Sequence, residues 1–133
     1  MYLEEKSMSD FTYELIKKGL DVSSLRQKTI SSNVANINTP NYKVNKVEFE
    51  EYLTKAKDEI SLKATHNKHF GIKSLEDIEP KVEKRENTSL NDNGNNVDID
   101  LEMTELAANE IYYSILIQQL NAKLSNLNYV INK

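Results

Sequence analysis

The chain has 133 residues, 38% of them hydrophobic and 29% charged, with a net charge of -4 and a mean hydropathy of -0.63. It has no cysteine, which excludes disulfides and thiolate metal sites, and no apolar run reaches the ~18–20 residues of a membrane span. Basic and acidic residues number five and five in 1–40, ten and eleven in 41–96, and two and five in 97–133, so no segment forms the basic stripe of a nucleic-acid footprint.

The length fits one domain. Met1 to Lys6 lacks the basic and apolar regions of a Sec-type signal. This predicts no cleaved signal peptide and leaves other export routes open. From Ser9 or Asp10, either of which can cap a helix, the pattern predicts a first helix running to about Asn38. Its stripe is Tyr13, Ile16, Leu20, Ser23, Gln27, Ile30, Val34 and Ile37, spaced three and four throughout. Gly19 weakens it by about 1 kcal/mol relative to Ala. Asn38-Thr39-Pro40 ends it, because Pro40 has no backbone donor and drives Thr39 out of the helical region. Pro40-Asn41 then suits the centre of a tight turn, with Asn41 left-handed.

The middle is less regular. Val47 to Lys57 reads as a short amphipathic piece with Phe49, Tyr52 and Leu53 on one helical face. Lys81 to Glu86 alternates loosely and suggests an edge strand. Glu86 to Asn96, rich in Asn, Ser, Asp and Gly, reads as a mobile loop. The last helix is capped by Asp98 or Asp100, with Asp100, Glu102 and Glu105 near the positive end of its dipole. No Gly or Pro interrupts it from Leu101 onward.

Its stripe is Met103, Leu106, Glu110, Tyr113, Ile117, Leu120, Leu124, Leu127 and Ile131. Between Ile111 and Ile131 the only charged residue is Lys123. A helix that is neutral or apolar nearly all round is covered on several sides. A compact bundle would need at least two more helices, and the middle barely offers one. The pattern therefore predicts a mainly α protein with three parts: 1–40 as one helix, 41–96 as a turn motif with an irregular, partly β segment and mobile loop, and 97–133 as the second helix. The two helices form an antiparallel coiled-coil pair, one axial core, which further subunits cover.

No catalytic constellation is legible. His66 and His69 have the spacing of one helical turn but lack a third ligand or a carboxylate motif, and two solvent-facing histidines is the better reading. Ser23, Ser24, Ser31 and Ser32 have no histidine beside them. Glu110 reads as a register or rim residue rather than a catalyst.

The segment Ile30-Ser-Ser-Asn-Val-Ala-Asn-Ile-Asn-Thr-Pro-Asn-Tyr-Lys43 resembles the SNNIANANTPGYK-type motif of bacterial flagellar axial proteins, the rod, hook and hook-associated subunits. It departs at Asn41, where the family usually has Gly, and Asn is the best substitute at a left-handed position. Leu62 to His66 with His69 is similar to the RTHPRH element of the proximal-rod branch. Gly94 to Ala107 is similar to its GNNVDLDxEMxxLA, and Tyr113 to Leu127 to its YxxLxQxLxxKxxxL. The larger distal-rod and hook subunits are too long to match.

The resemblance implies a non-enzymatic subunit of the flagellar basal-body rod, without cofactor, metal or small-molecule substrate. Its partners would be other rod subunits such as FlgC, the ring adaptor FliE, and the type III export apparatus in transit; it would meet the membrane only through the ring. Terminal helices of such subunits are often disordered until they assemble. The residues implicated are Asn33, Asn36, Thr39, Pro40, Asn41 and Tyr42 in the turn. The assembly seam would comprise Ile16, Leu20, Ile30, Val34, Ile37, Leu106, Tyr113, Ile117, Leu120, Leu124 and Leu127. The rival is a soluble coiled-coil adaptor or flagellar export chaperone, which shares the heptads but has no reason to carry the Asn-Thr-Pro-Asn-Tyr turn. A metalloenzyme built on His66 and His69 is a distant third.

Overall fold

The computed structural model describes residues 2–54, 78–86 and 92–132, with side chains from residue 11 onward. The histidines and the 62–66 element lie outside the described residues. Two long helices, α1 (Tyr2–Ala35) and α2 (Ile99–Ile131), flank a two-stranded sheet of β1 (Asn45–Glu48) and β2 (Lys81–Lys84). A further helical turn is described over 50–54.

α1 begins well before Ser9 or Asp10. Nothing in residues 2–9 breaks a helix, since Leu3, Glu4, Glu5 and Lys6 are good helix formers and Gly and Pro are absent. It also ends three residues before Asn38. Past Ala35 the amides reach back three residues: Asn36 to the carbonyl of Asn33, Ile37 to Val34, and Thr39 to Asn36, at 3.1, 3.2 and 3.0 Å. The side chains join in. Asn36 Nδ2 donates to the Ser32 carbonyl at 2.8 Å, and Thr39 Oγ1 donates to Asn36 Oδ1 at 3.1 Å. Such local bonds compete with helix continuation.

β1 corrects the start of the amphipathic piece read over 47–57, whose last three residues lie outside the described ones. Asn45 to Glu48 pairs antiparallel with β2, Val47 opposite Val82, and only from Glu50 does the backbone turn helical. β2 is exposed along its length, as an edge strand should be. Val47 and Phe49 are buried with Val22 of α1, and Leu25, Leu53 and Ile78 pack on this small core. One face of α1 therefore covers the middle of the chain.

A second face of α1 meets α2. Ser23 touches Asn109, and Asn33 touches Glu102. As the numbers fall along α1 they rise along α2, so the pair is antiparallel. Of the two candidate caps the structure uses Asp98, whose Oδ1 accepts from the amides of Asp100 and Leu101 at 3.0 and 3.3 Å. Gly19 has a use that offsets its weakness as a helix residue: a Cβ there would lie 3.0 Å from Leu116 Cδ1 and 3.3 Å from Tyr112 Oη. Its bare backbone lets α2 come close.

Candidate functional site

The turn after α1 is bound to the start of α2 by asparagines. Asn33, 1% exposed, is the first hub. Its Nδ2 donates to the Asn45 carbonyl and to Glu102 Oε2, both at 2.8 Å. Its Oδ1 accepts from the Asn45 amide at 3.0 Å and from Tyr42 Oη at 3.2 Å. All the capacity of this amide is used, so it joins the end of α1, the turn, β1 and α2.

Asn95, 0% exposed, is the second hub. Its Nδ2 lies 2.9, 2.9 and 2.8 Å from the carbonyl oxygens of Asn36, Ile37 and Thr39. These carbonyls lie just past the end of α1, where the helical ladder has stopped; those of Asn36 and Thr39 also accept from the Thr39 and Tyr42 amides. Its Oδ1 accepts from the Val97 amide at 2.7 Å. Asn96, also buried, pins the other side: Oδ1 accepts from the Val44 amide at 2.7 Å and Nδ2 donates to the Arg85 carbonyl at 2.6 Å. The segment read as a mobile loop thus ends in two of the most enclosed side chains of the molecule. Composition marks Asn-rich stretches as loops, but buried amides are stable wherever each polar atom has a partner.

The turn itself is left-handed at Asn41, with φ 59, as its position after Pro40 predicts. The Asn41 amide donates to the Asn93 carbonyl at 3.0 Å. Gly94 has φ 77, and a Cβ there would sit 2.5 Å from Asn41 Oδ1. Lys43 Nζ donates to the Gly94 carbonyl at 2.6 Å. Of the other turn residues, Asn36 and Tyr42 are half-buried, while Thr39, Pro40 and Asn41 are exposed.

Between the helices the contact edge of α1 is Gly19, Ser23, Arg26, Ile30 and Asn33. The facing edge of α2 is Glu102, Glu105, Asn109, Tyr112 and Leu116. Both edges are spaced by three and four. At the centre, Ser23 Oγ donates to Asn109 Oδ1 at 3.0 Å, and Asn109 Nδ2 donates to the Ser23 carbonyl at 2.9 Å. The α2 edge is largely polar, and the apolar stripe lies roughly 100° further round the helix.

On that stripe Met103, Tyr113, Leu124, Leu127 and Ile131 are exposed, and Leu106, Ile117 and Leu120 half-buried. Glu110 is exposed too. On α1, Ile16 and Ile30 are buried, and Leu20, Val34 and Ile37 half-buried. Ile111, at 64% exposed, and Ile115 and Tyr129 add to the open apolar surface of α2.

A cleft of about 380 Å³ opens between α1, β1 and α2. Arg26 pairs with Glu50 at its mouth, both guanidinium nitrogens reaching the carboxylate. Burial raises the Glu50 carboxyl, but the hydrogen bond and charge of Arg26 outweigh it and hold it below the usual carboxylate range. Glu102 goes the other way. Burial pushes its carboxyl up, against the hydrogen bond from Asn33 and the charge of Arg85. Among the described residues no three His, Cys, Asp or Glu are grouped to hold a metal ion, and no helix is long and apolar enough to cross a membrane. The chemistry of this site is that of a clasp.

Sequence reasoning found the turn residues and missed Asn45, Asn95, Asn96, Glu102 and Asn109. Gly94 to Ala107 carried a usable signal as a motif, but nothing in its composition distinguishes a buried amide from a loop amide.

A family model described as flagella basal body rod protein matches residues 19–43, which run from the helix-contact glycine through the turn. The chain is similar along nearly its whole length to curated proteins. The flagellar basal body rod protein FlgB of Bacillus subtilis is 36% identical over 125 residues, covering 94% of this chain and 96% of that protein. That of Borreliella burgdorferi is 37% identical over 134 residues, covering 93% and 99%. That of Escherichia coli is 25% identical over 122 residues, covering 86% and 88%.

Proposed function

The chain belongs to the FlgB family of flagellar basal body rod proteins, and on that premise we propose that it occupies the proximal part of the rod and joins it through the open apolar stripe of α2. It is a structural subunit of the basal body rod. The observation that carries the proposal is the nearly charge-free helix from Ile111 to Ile131, whose apolar side chains stand open in the single chain. Contiguous apolar surface of that kind marks an interaction site, and a helix neutral nearly all round is covered on several sides.

In this reading the subunit works by packing, without catalysis. Ser23, Asn33, Glu102 and Asn109 are engaged with one another across the helix pair, which suits a structural role. Its neighbours are other copies and FlgC-type rod subunits, with the ring adaptor FliE on the membrane side. It crosses the inner membrane unfolded through the type III export apparatus. A helix that gains most of its stability from packing is suited to that passage.

The test is to isolate hook–basal bodies and probe them with an antibody to this chain, alongside a Leu124→Asp variant. The expected result is a stoichiometric signal that survives detergent washing for the parent and is lost for Leu124→Asp. A parent found only in the cytoplasm, as a soluble dimer, would move the reading to an adaptor or export chaperone.

A further inference from the structure

α2 carries two edges at heptad spacing, and α1 is paired with the less apolar one. Burial alone favours the reverse. Leu106, Ile117 and Leu120 are half-buried in the observed pairing, yet centring α1 on the stripe of Leu106, Tyr113, Ile117, Leu120 and Leu124 would remove more apolar surface from water than centring it on Glu102, Asn109, Tyr112 and Leu116. Something other than burial therefore selects the observed pairing.

We propose that the buried Ser23–Asn109 pair is a register lock, which holds α1 on the polar edge of α2 and so keeps the apolar stripe free for neighbouring chains. Ser23 is 1% and Asn109 6% exposed. Their two hydrogen bonds run in opposite directions, one between side chains and one from Asn109 Nδ2 to the Ser23 main-chain carbonyl. The second requires the helix backbones to be close, and Gly19, one turn away, permits it by leaving room for Leu116 and Tyr112. Nearly three turns along α1 in the other direction, Asn33 holds Glu102 in the same register. Rotating α2 by one residue or sliding it by one turn would part the buried Ser23 and Asn109 side chains and take Glu102 away from Asn33, and unmade buried bonds are heavily penalised. A single buried polar residue in a helix seam is known to fix register at a cost in stability. Here the fixed register also decides which edge remains open. This role rests on the rod reading above, because the open edge needs neighbours to receive it.

The experiment compares the parent with Ser23→Ala/Asn109→Leu. In the isolated subunit, spin labels on cysteines placed at the exposed Gln27 and Met103 report the register, and the absence of native cysteine keeps the labelling clean. In a strain lacking the native gene, antibody signal in purified hook–basal bodies reports incorporation. The parent is expected to give one narrow distance. The apolar variant is expected to give a shifted or broadened distance, a higher melting temperature and at least ~10-fold less incorporation. An unchanged narrow distance overturns the proposal whatever the incorporation, and so does normal incorporation at a changed distance. If the double variant loses its helical signal, Ser23→Ala takes its place. That change removes only the side-chain bond and should give intermediate incorporation; incorporation equal to the parent's overturns the proposal. Absence of the parent from hook–basal bodies would instead sink the rod reading, so the two failures are separate.

Discussion

The two ends of the helix pair are built on opposite principles. At the turn end, residues 33–45 and 93–102 exchange hydrogen bonds until every buried side-chain nitrogen and oxygen among the described residues has a partner. At the far end, from Ile111 to Ile131, apolar side chains face outward, up to Ile131 at 76% exposed. The turn end is complete within one chain. The far end leaves its apolar side chains open in the single chain, and in the proposed reading neighbours cover them. A subunit made for assembly thus separates the part that must be right before contact from the part that contact finishes.

The contrast predicts where damage is felt. Asn95→Ala should have the largest effect on the free subunit, because one side chain serves three helix-end carbonyls and the Val97 amide. A loss of about 3–4 kcal/mol is expected in urea unfolding. A loss below about 1 kcal/mol would mean that water replaces the amide and that the turn end is not closed as described. Leu124→Asp, at the far end, should shift the free subunit by no more than about 0.5 kcal/mol, while removing it from the rod. Equal damage to the free subunit would erase the division between the ends.

Glu102→Gln tests the charge inside the clasp. Gln keeps an acceptor for Asn33 Nδ2 and removes the buried charge. Burial raises the Glu102 carboxyl above its unfolded value, so the folded state binds the proton more tightly. Its contribution to stability is fully present below the unfolded carboxyl range and is lost as pH rises through the raised folded value. Glu102→Gln should therefore melt higher than the parent at neutral pH, with the difference shrinking as pH falls below the unfolded range. A difference that grows on acidification would reverse the assignment. Asn41→Gly should have the smallest effect, a stability change within about 1 kcal/mol of zero, since glycine relieves the φ of 59 but frees the unfolded chain. Loss of rod incorporation in that variant would reveal a contact made by the Asn41 side chain.

Much of the fold was legible because it rests on local rules. The two helices, the cap at Asp98, the left-handed Asn41 after Pro40 and the edge strand at Lys81 follow from propensity, capping and turn chemistry. What was not legible depends on distant partners. Asn45 to Glu48 became a strand because β2 and Asn33 bind its backbone, and the helical spacing holds only from Phe49 on, where the Leu53 amide donates to the Phe49 carbonyl at 2.9 Å. Asn95 and Asn96 look like loop residues until their distant partners, the Val44 amide 52 positions from Asn96 and the Asn36 carbonyl 59 from Asn95, are brought beside them. The heptad stripe of α2 is legible as a pattern in the sequence. Its period says that a helix will be covered, and is silent on which chain does the covering.

The clasp also sets an angle. α1 has 34 residues, so it is a rod about 50 Å long, fixed to α2 from Asn33 back to Gly19. On the arm of about 25 Å that extends beyond Gly19, play of about 5° swings the tip by roughly 2 Å. Amides that hold Asn36, Ile37 and Thr39 to within a hydrogen bond therefore govern aim as well as stability. In a shaft made of many such levers, stiffness at each pivot is what lets torque pass along it instead of being spent in flexing the arms.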